Sequence, residues 1–158
     1  MGIAVASPEM NFQHLFRNAH LALTEVKRNG KNDYDFFRDS MYRKFLSETD
    51  ISIQIEKALE NNEFELYFQP QYFLDGKNLR GFESLIRWHD HKAGIRMPSD
   101  FIPAAEQTNA IHALGDWILE NAIKTLGAWQ KDFSFKGILS VNISSLQLLN
   151  PIFMLNLQ

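Results

Sequence analysis

The apolar positions follow two rhythms along the chain, one of three and four residues and one of two. Gly2-Ile3-Ala4-Val5-Ala6 predicts the end of a strand, and Ser7-Pro8-Glu9 a turn. Between Asn11 and Arg28, the residues Phe12, Leu15, Phe16, Ala19, Ala22, Leu23 and Val26 recur at helical spacing, and Asn29-Gly30 supplies a left-handed stop. Tyr34–Phe37 predicts a short strand. Residues 38–50 read as a connector with helical character. Thr49-Asp50 reads as the cap of a helix running from Ile51 to about Asn61, with Ile51, Ile55 and Leu59 on one face.

The second rhythm follows. Phe64–Phe73 is rich in strand formers, Asp75-Gly76 is a hairpin turn signal, and Leu79–Trp88 predicts the returning strand. Residues 89–98 read as a polar loop and Phe101–Glu106 as a short helix. A longer helix spans Ala113–Gln130, with Leu114, Trp117, Ile118, Ala122, Leu126 and Trp129 on its stripe. Ile138–Ile143 predicts a buried strand. Ser144-Ser145 caps a last helix carrying Leu146, Leu148 and Leu149, which Pro151 interrupts. This alternation predicts an α/β fold with parallel crossovers. A full (β/α)₈ barrel takes ~250 residues, and only 108 remain from Ile51 onward, so the expectation is an incomplete barrel.

Composition narrows the chemistry. The chain has 158 residues, room for about one domain at ~150 residues each. Sixteen Lys+Arg against nineteen Asp+Glu leave a net charge of −3, which gives no reason to expect a nucleic-acid polymer as partner. The absence of cysteine excludes a disulfide scaffold, a thiolate metal site and a cysteine nucleophile. No apolar run approaches the ~20 residues of a membrane span, and the expected location is the cytoplasm, whether or not a longer parent is membrane-anchored.

Several motifs, in order, carry a resemblance. Ala58–Pro70, Gly81–Trp88 (with Glu83-Ser84-Leu85), Pro98–Pro103, Ala105–Thr108, Leu114–Leu119 and Ser140–Ser144 are together similar to the first part of an EAL domain, the cyclic di-GMP phosphodiesterase family. Gly2-Ile3-Ala4, Leu15–Leu23 and Lys27–Asn32 resemble the last part of a GGDEF domain, the diguanylate cyclase family. The resemblance implies a GGDEF remnant at 1–37, a connector at 38–50 and the N-terminal part of an EAL domain at 51–158. The fold so implied is an incomplete (β/α) barrel of the EAL type with a short α+β remnant in front.

It also implies site residues. Glu83 corresponds to the family's metal-binding glutamate, and Ser84 stands where the signature has alanine. By itself Glu83 reads as a glutamate on the polar face of a half-buried strand. Asn142 corresponds to a second ligand, although it also reads as the cap of the following helix. Both offer hard oxygen to Mg²⁺ or Mn²⁺. Arg87 is placed to meet a phosphate with paired donors, with a surface ion pair as the alternative. Gln69 and Leu85 fall at nucleotide-facing positions. His89-Asp90-His91 reads as a solvated loop, because i and i+2 side chains diverge in a strand. Trp117 and Trp129 read as core, and the Lys27–Lys31 cluster as a solvated helix end.

The family hydrolyses cyclic di-GMP to linear pGpG with metal-activated water. Its remaining carboxylates and its lysine follow the asparagine, beyond the sixteen residues that come after Asn142. The expectation is therefore a fragment of a GGDEF–EAL signalling protein that is inactive by itself, with weak or absent metal and nucleotide binding. The alternative is a catalytically dead interaction or oligomerisation module. Either way, open sheet edges around 138–143 predict a homo-oligomer.

Overall fold

The computed structural model describes residues 1–151 and 153. The chain divides into two units, Met1–Asp50 and Ile51–Gln158. In the first unit, β1 (Gly2–Ile3) pairs in parallel with β2 (Asp35–Phe36). Helix α1 (Phe12–Arg28) is capped by Asn11, whose Oδ1 accepts from the His14 amide at 2.8 Å. Ala22 and Val26 of its apolar stripe are buried. Arg28 pairs with Glu48 at 3.1 Å and Lys44 with Glu25 at 3.4 Å, tying α1 to the next helix. Lys27 and Lys31 are exposed, as a solvated helix end should be.

Residues 38–50, expected to be a connector with helical character, are almost wholly helical. Helix α2 runs unbroken over Asp39–Glu60 and passes through the boundary between the units. No Gly or Pro interrupts this stretch, and Met, Arg, Lys, Glu and Leu favour helix throughout. Thr49 is accordingly no cap: its hydroxyl donates to the Phe45 carbonyl one turn back, at 2.9 Å.

The second unit is built on a four-stranded sheet. Strands β3 (Phe64–Tyr72) and β4 (Leu79–Asp90) form an antiparallel hairpin from Phe64↔Trp88 to Gln71↔Gly81. At its turn Gly76 takes a φ of 66°, and Asp75 accepts from the amides of Lys77 and Asn78. The expected polar loop after Trp88 is a second hairpin, because β4 continues to Asp90 and β5 (Gly94–Arg96) returns along it. Asp90 makes that turn by accepting from the amides of Lys92 at 2.7 Å and Ala93 at 3.1 Å. The histidines diverge, His89 meeting Glu65 at 2.7 Å and His91 meeting Glu63 at 3.5 Å.

Helices α3 (Pro98–Gln107) and α4 (Ala110–Phe133) then cross over to β6 (Ile138–Val141), which lies parallel to β4 with Gly81↔Ile138 through Ser84↔Val141. Helix α5 (Ser145–Leu148) follows. Residues 152 and 154–158, in the segment expected to follow Pro151, lie outside the described residues. Among the described residues no helix is long and apolar enough to cross a membrane.

The strand period of two sorts the sheet into two faces. Phe64, Ile86 and Trp88 pack with Ile55, Phe101 and Leu114 in the core. Trp117 packs against Phe64 at the edge of this core, and Trp129 against Phe68 and Phe82; both tryptophans, expected as core, are only partly buried. The register puts Tyr67, Gln69, Gln71, Glu83, Leu85 and Arg87 together on the opposite face.

The β4–β5 turn is expected to contribute to the acid response of this unit. The Lys92 amide, then the Ala93 amide and Arg96, hold the Asp90 carboxyl below the usual carboxylate range. A lowered folded-state pKa stabilises above the unfolded value of ~3.9 and is lost as pH falls through the lower folded one. Melting followed from pH 5 to pH 2 is expected to fall less steeply in Asp90→Asn than in the unsubstituted chain. Identical slopes would remove Asp90 from the acid response.

Candidate functional site

Glu83 and Asn142 are 59 residues apart in the chain and in contact in the fold. Glu83 lies opposite Ser140 in the parallel β4–β6 ladder, and Asn142 follows the last rung, Ser84↔Val141. The Asn142 Nδ2 donates to Glu83 Oε1 at 2.7 Å. On the other side, Gln71 Nε2 donates to Glu83 Oε2 at 3.4 Å, and the Ser140 hydroxyl donates to Gln71 Oε1 at 3.5 Å. The sequence reading passed over Gln71 and Ser140. Gln71 was within reach of it, since Gln69 and Gln71 flank Pro70 and share a strand face. Ser140 depends on the β4–β6 pairing and had no local signal.

The other expected site residues share the sheet face, Gln69 directly across from Glu83 and Leu85 and Arg87 progressively further along β4. Gln69 is exposed and is the ladder partner of Glu83. Leu85 lies opposite Tyr67. Arg87 is four residues further along β4, about 13 Å from Glu83 at strand rise. Its Nη1 donates to the Ile86 carbonyl at 2.8 Å, and its guanidinium lies 5.4 Å from the centre of the Tyr67 ring. The guanidinium is thus held beside an aromatic face, a cation–π arrangement that limits its rotamers.

Helix α5 is fastened just beyond Asn142. The Ser144 hydroxyl donates to Glu106 Oε1 at 2.7 Å, and the Ser144 amide donates to Gln147 Oε1 at 3.0 Å. Gly115 of α4 makes room for this cap, since a Cβ there would fall 1.7 Å from Gln147 Nε2. A largely apolar cavity of about 440 Å³ opens beside it, between α3, α4 and β4, with Leu85, Pro98, Ile102, Ile118 and Asn142 among its walls.

The donor set suits a hard cation in kind. Glu83 offers a carboxylate, and Asn142, Gln71 and Ser140 offer neutral oxygens. Among the described residues no three His, Cys, Asp or Glu side chains are grouped to hold a metal. Glu83 and the neutral amide and hydroxyl oxygens beside it would hold such an ion, with water completing the shell. Asn142 presents its NH₂ to Glu83, so ligation through Oδ1 requires the amide to turn over.

Known proteins resemble this chain over most of its length. The oxygen sensor protein DosP of Escherichia coli K12 is 35% identical over 136 residues, 86% of this chain and 17% of DosP. The bifunctional diguanylate cyclase/cyclic di-GMP phosphodiesterase MucR of Pseudomonas aeruginosa is 30% identical over 148 residues, 93% of this chain and 22% of MucR. The chain therefore spans about a fifth of the length of these relatives. The PaMucR phosphodiesterase in complex with c-di-GMP superposes with a TM-score of 0.63 at 28% identity, over 66% of this chain and 42% of that one. The EAL enzyme Bd1971, bound to cAMP and cyclic-di-GMP, superposes with a TM-score of 0.68 at 26% identity, over 95% of this chain and 39% of that one. The mixed α/β sheet is thus the fold of EAL domains, with part of a barrel present. The EAL domain family matches residues 53–158, and the chain belongs to that family.

Proposed function

We propose that this chain is part of a GGDEF–EAL cyclic di-GMP signalling protein whose activity is metal-dependent hydrolysis of cyclic di-GMP to pGpG. The observation that carries the reading is the Glu83–Asn142 contact at 2.7 Å, which brings a carboxylate and a side-chain amide together at one point of the sheet. Residues 51–158 form the N-terminal part of the EAL domain, residues 1–37 a GGDEF remnant, and residues 38–50 the first half of a helical link between them. The match to MucR, named for both activities, extends over 93% of the chain and so supports a GGDEF contribution in front. Glu83 and Asn142 would hold Mg²⁺ or Mn²⁺, which supplies an activated water when bound. Arg87 is the phosphate contact, Gln69 and Leu85 are nucleotide contacts, and Tyr67 steadies the Arg87 guanidinium.

A single carboxylate among neutral oxygens makes a poor metal site, so the 158 residues alone are expected to form no pGpG with Mg²⁺ or Mn²⁺ in excess. Nucleotide binding alone is expected to be weaker than ~1 mM, about −4 kcal/mol. A hybrid of MucR carrying residues 53–158 in place of its matching stretch is expected to hydrolyse cyclic di-GMP and to lose activity at least ~100-fold with Glu83→Ala. Turnover near ~1 s⁻¹ by the chain alone would overturn its inactivity. A hybrid indifferent to Glu83→Ala would overturn the site.

One observation favours a second reading, an interaction or oligomerisation module. The outer edges of β3 and β6 carry no strand partner among the described residues, and open edges template pairing with another chain. Light scattering across a concentration series distinguishes the two, since a monodisperse monomer at every concentration removes self-association.

A further inference from the structure

We propose that Ser84 is a positioning residue for the Glu83–Asn142 pair, acting through the carbonyl of Ser140. This rests on reading that pair as the metal-holding part of the site.

The family signature has alanine at this position, and a buried hydroxyl needs a partner. Ser84 is 4% exposed, and its Oγ donates to the Ser140 carbonyl at 3.1 Å. Glu83 precedes Ser84 in β4, and Ser140 is the ladder partner of Glu83 and lies two residues before Asn142. One hydroxyl therefore ties the segment bearing the carboxylate to the segment bearing the amide. The β4–β6 ladder has only four rungs, and Ser84↔Val141 is the last before Asn142 leaves the sheet. A strand end frays more readily than its middle, and the side-chain bond adds a restraint at that place.

Ser140 is held from its other side as well, its hydroxyl donating to Gln71, which in turn donates to Glu83. The links from Ser84 to Ser140, Ser140 to Gln71, Gln71 to Glu83 and Asn142 to Glu83 form a connected set around the carboxylate. Such partners set where a ligand's oxygens point before a metal arrives.

The test follows the Asn142 side-chain amide by ¹⁵N NMR in the full chain, with no metal or nucleotide, so it fails independently of the functional reading. In Ser84→Ala the Asn142 NH₂ protons are expected to move toward the shifts of an exposed asparagine and to exchange with water about fivefold faster, as loss of one ordinary hydrogen bond allows. Ser84→Cys, a weaker donor of similar size, is expected to fall between. Thr125→Ala removes a comparable bond, from Thr125 Oγ1 to the Asn121 carbonyl at 2.8 Å, and should leave Asn142 unchanged. With Mn²⁺ added, half-broadening of the Asn142 signal is expected to need about tenfold more metal in Ser84→Ala. An Asn142 signal unmoved by both Ser84 variants overturns the proposal, as does an equal movement in Thr125→Ala.

Discussion

Trp88→Ala is expected to cost the second unit about 3–5 kcal/mol, the range for truncating a large buried aromatic. Trp88 is 1% exposed, and its ring lies 5.5 Å from Phe64 and 5.7 Å from Phe101. Its Nε1 donates to Glu63 Oε2 at 3.0 Å, and Arg96 stacks on it at 4.7 Å. Truncation therefore opens a cavity where β4 meets α3, leaves Glu63 without its indole donor and removes the seat of Arg96. Whole domains are stable by only about 5–15 kcal/mol, so a large part of this unit's margin would go. Urea unfolding followed by circular dichroism measures the loss, and Trp88→Phe, which keeps a ring in place, is expected to lose less than half as much. A midpoint for Trp88→Ala within error of the unsubstituted chain would show that this cluster does not hold the unit together.

Gly81→Ala is expected to be the most damaging small change to the site. Gly81 begins the β4–β6 ladder opposite Ile138. A Cβ there would lie 2.0 Å from the Ile138 carbonyl oxygen and 2.8 Å from its carbon, and backbone cannot yield as a flexible side chain can. Strand β6 must back away at its first rung, at a cost of about 1–3 kcal/mol. With only four rungs, the displacement reaches Ser140 and Asn142, and the 2.7 Å contact to Glu83 is expected to break. Thermal melting reads the first effect, and the Asn142 amide resonance reads the second. A full-strength Asn142–Glu83 bond in Gly81→Ala would mean that β6 is positioned by α4 and not by its ladder.

The two effects mark where local pattern stops informing. The apolar stripe of α4 turns Trp117 and Trp129 toward the sheet, where both, partly buried, lie against Phe64 or Phe68 of β3. Residues 38–50 carry Met41, Tyr42, Phe45 and Leu46 at helical spacing, but the Thr-Asp pair that follows resembles a cap until the backbone is seen to run through it. The stretch after Trp88 looked like a loop because its turn chemistry rests on one side chain, Asp90, accepting from two amides.

What the sequence determined by itself was the order of elements, the hairpin at Asp75-Gly76, the family, and the identity of Glu83 and Asn142 as residues to watch. These follow from short-range period, turn chemistry and motif order, all carried by neighbouring residues. What the tertiary structure alone decided was that Asn142 touches Glu83, that Gln71 and Ser140 complete the surround, and that the Ser84 hydroxyl is used. The Gln71–Glu83 bond lies within the β3–β4 hairpin, but the others depend on the register between strands more than fifty residues apart, and a slip of one residue would turn every side chain of a strand to the other face. That register is set by packing between distant segments, including the close approach at Gly81, which no local window of the sequence contains.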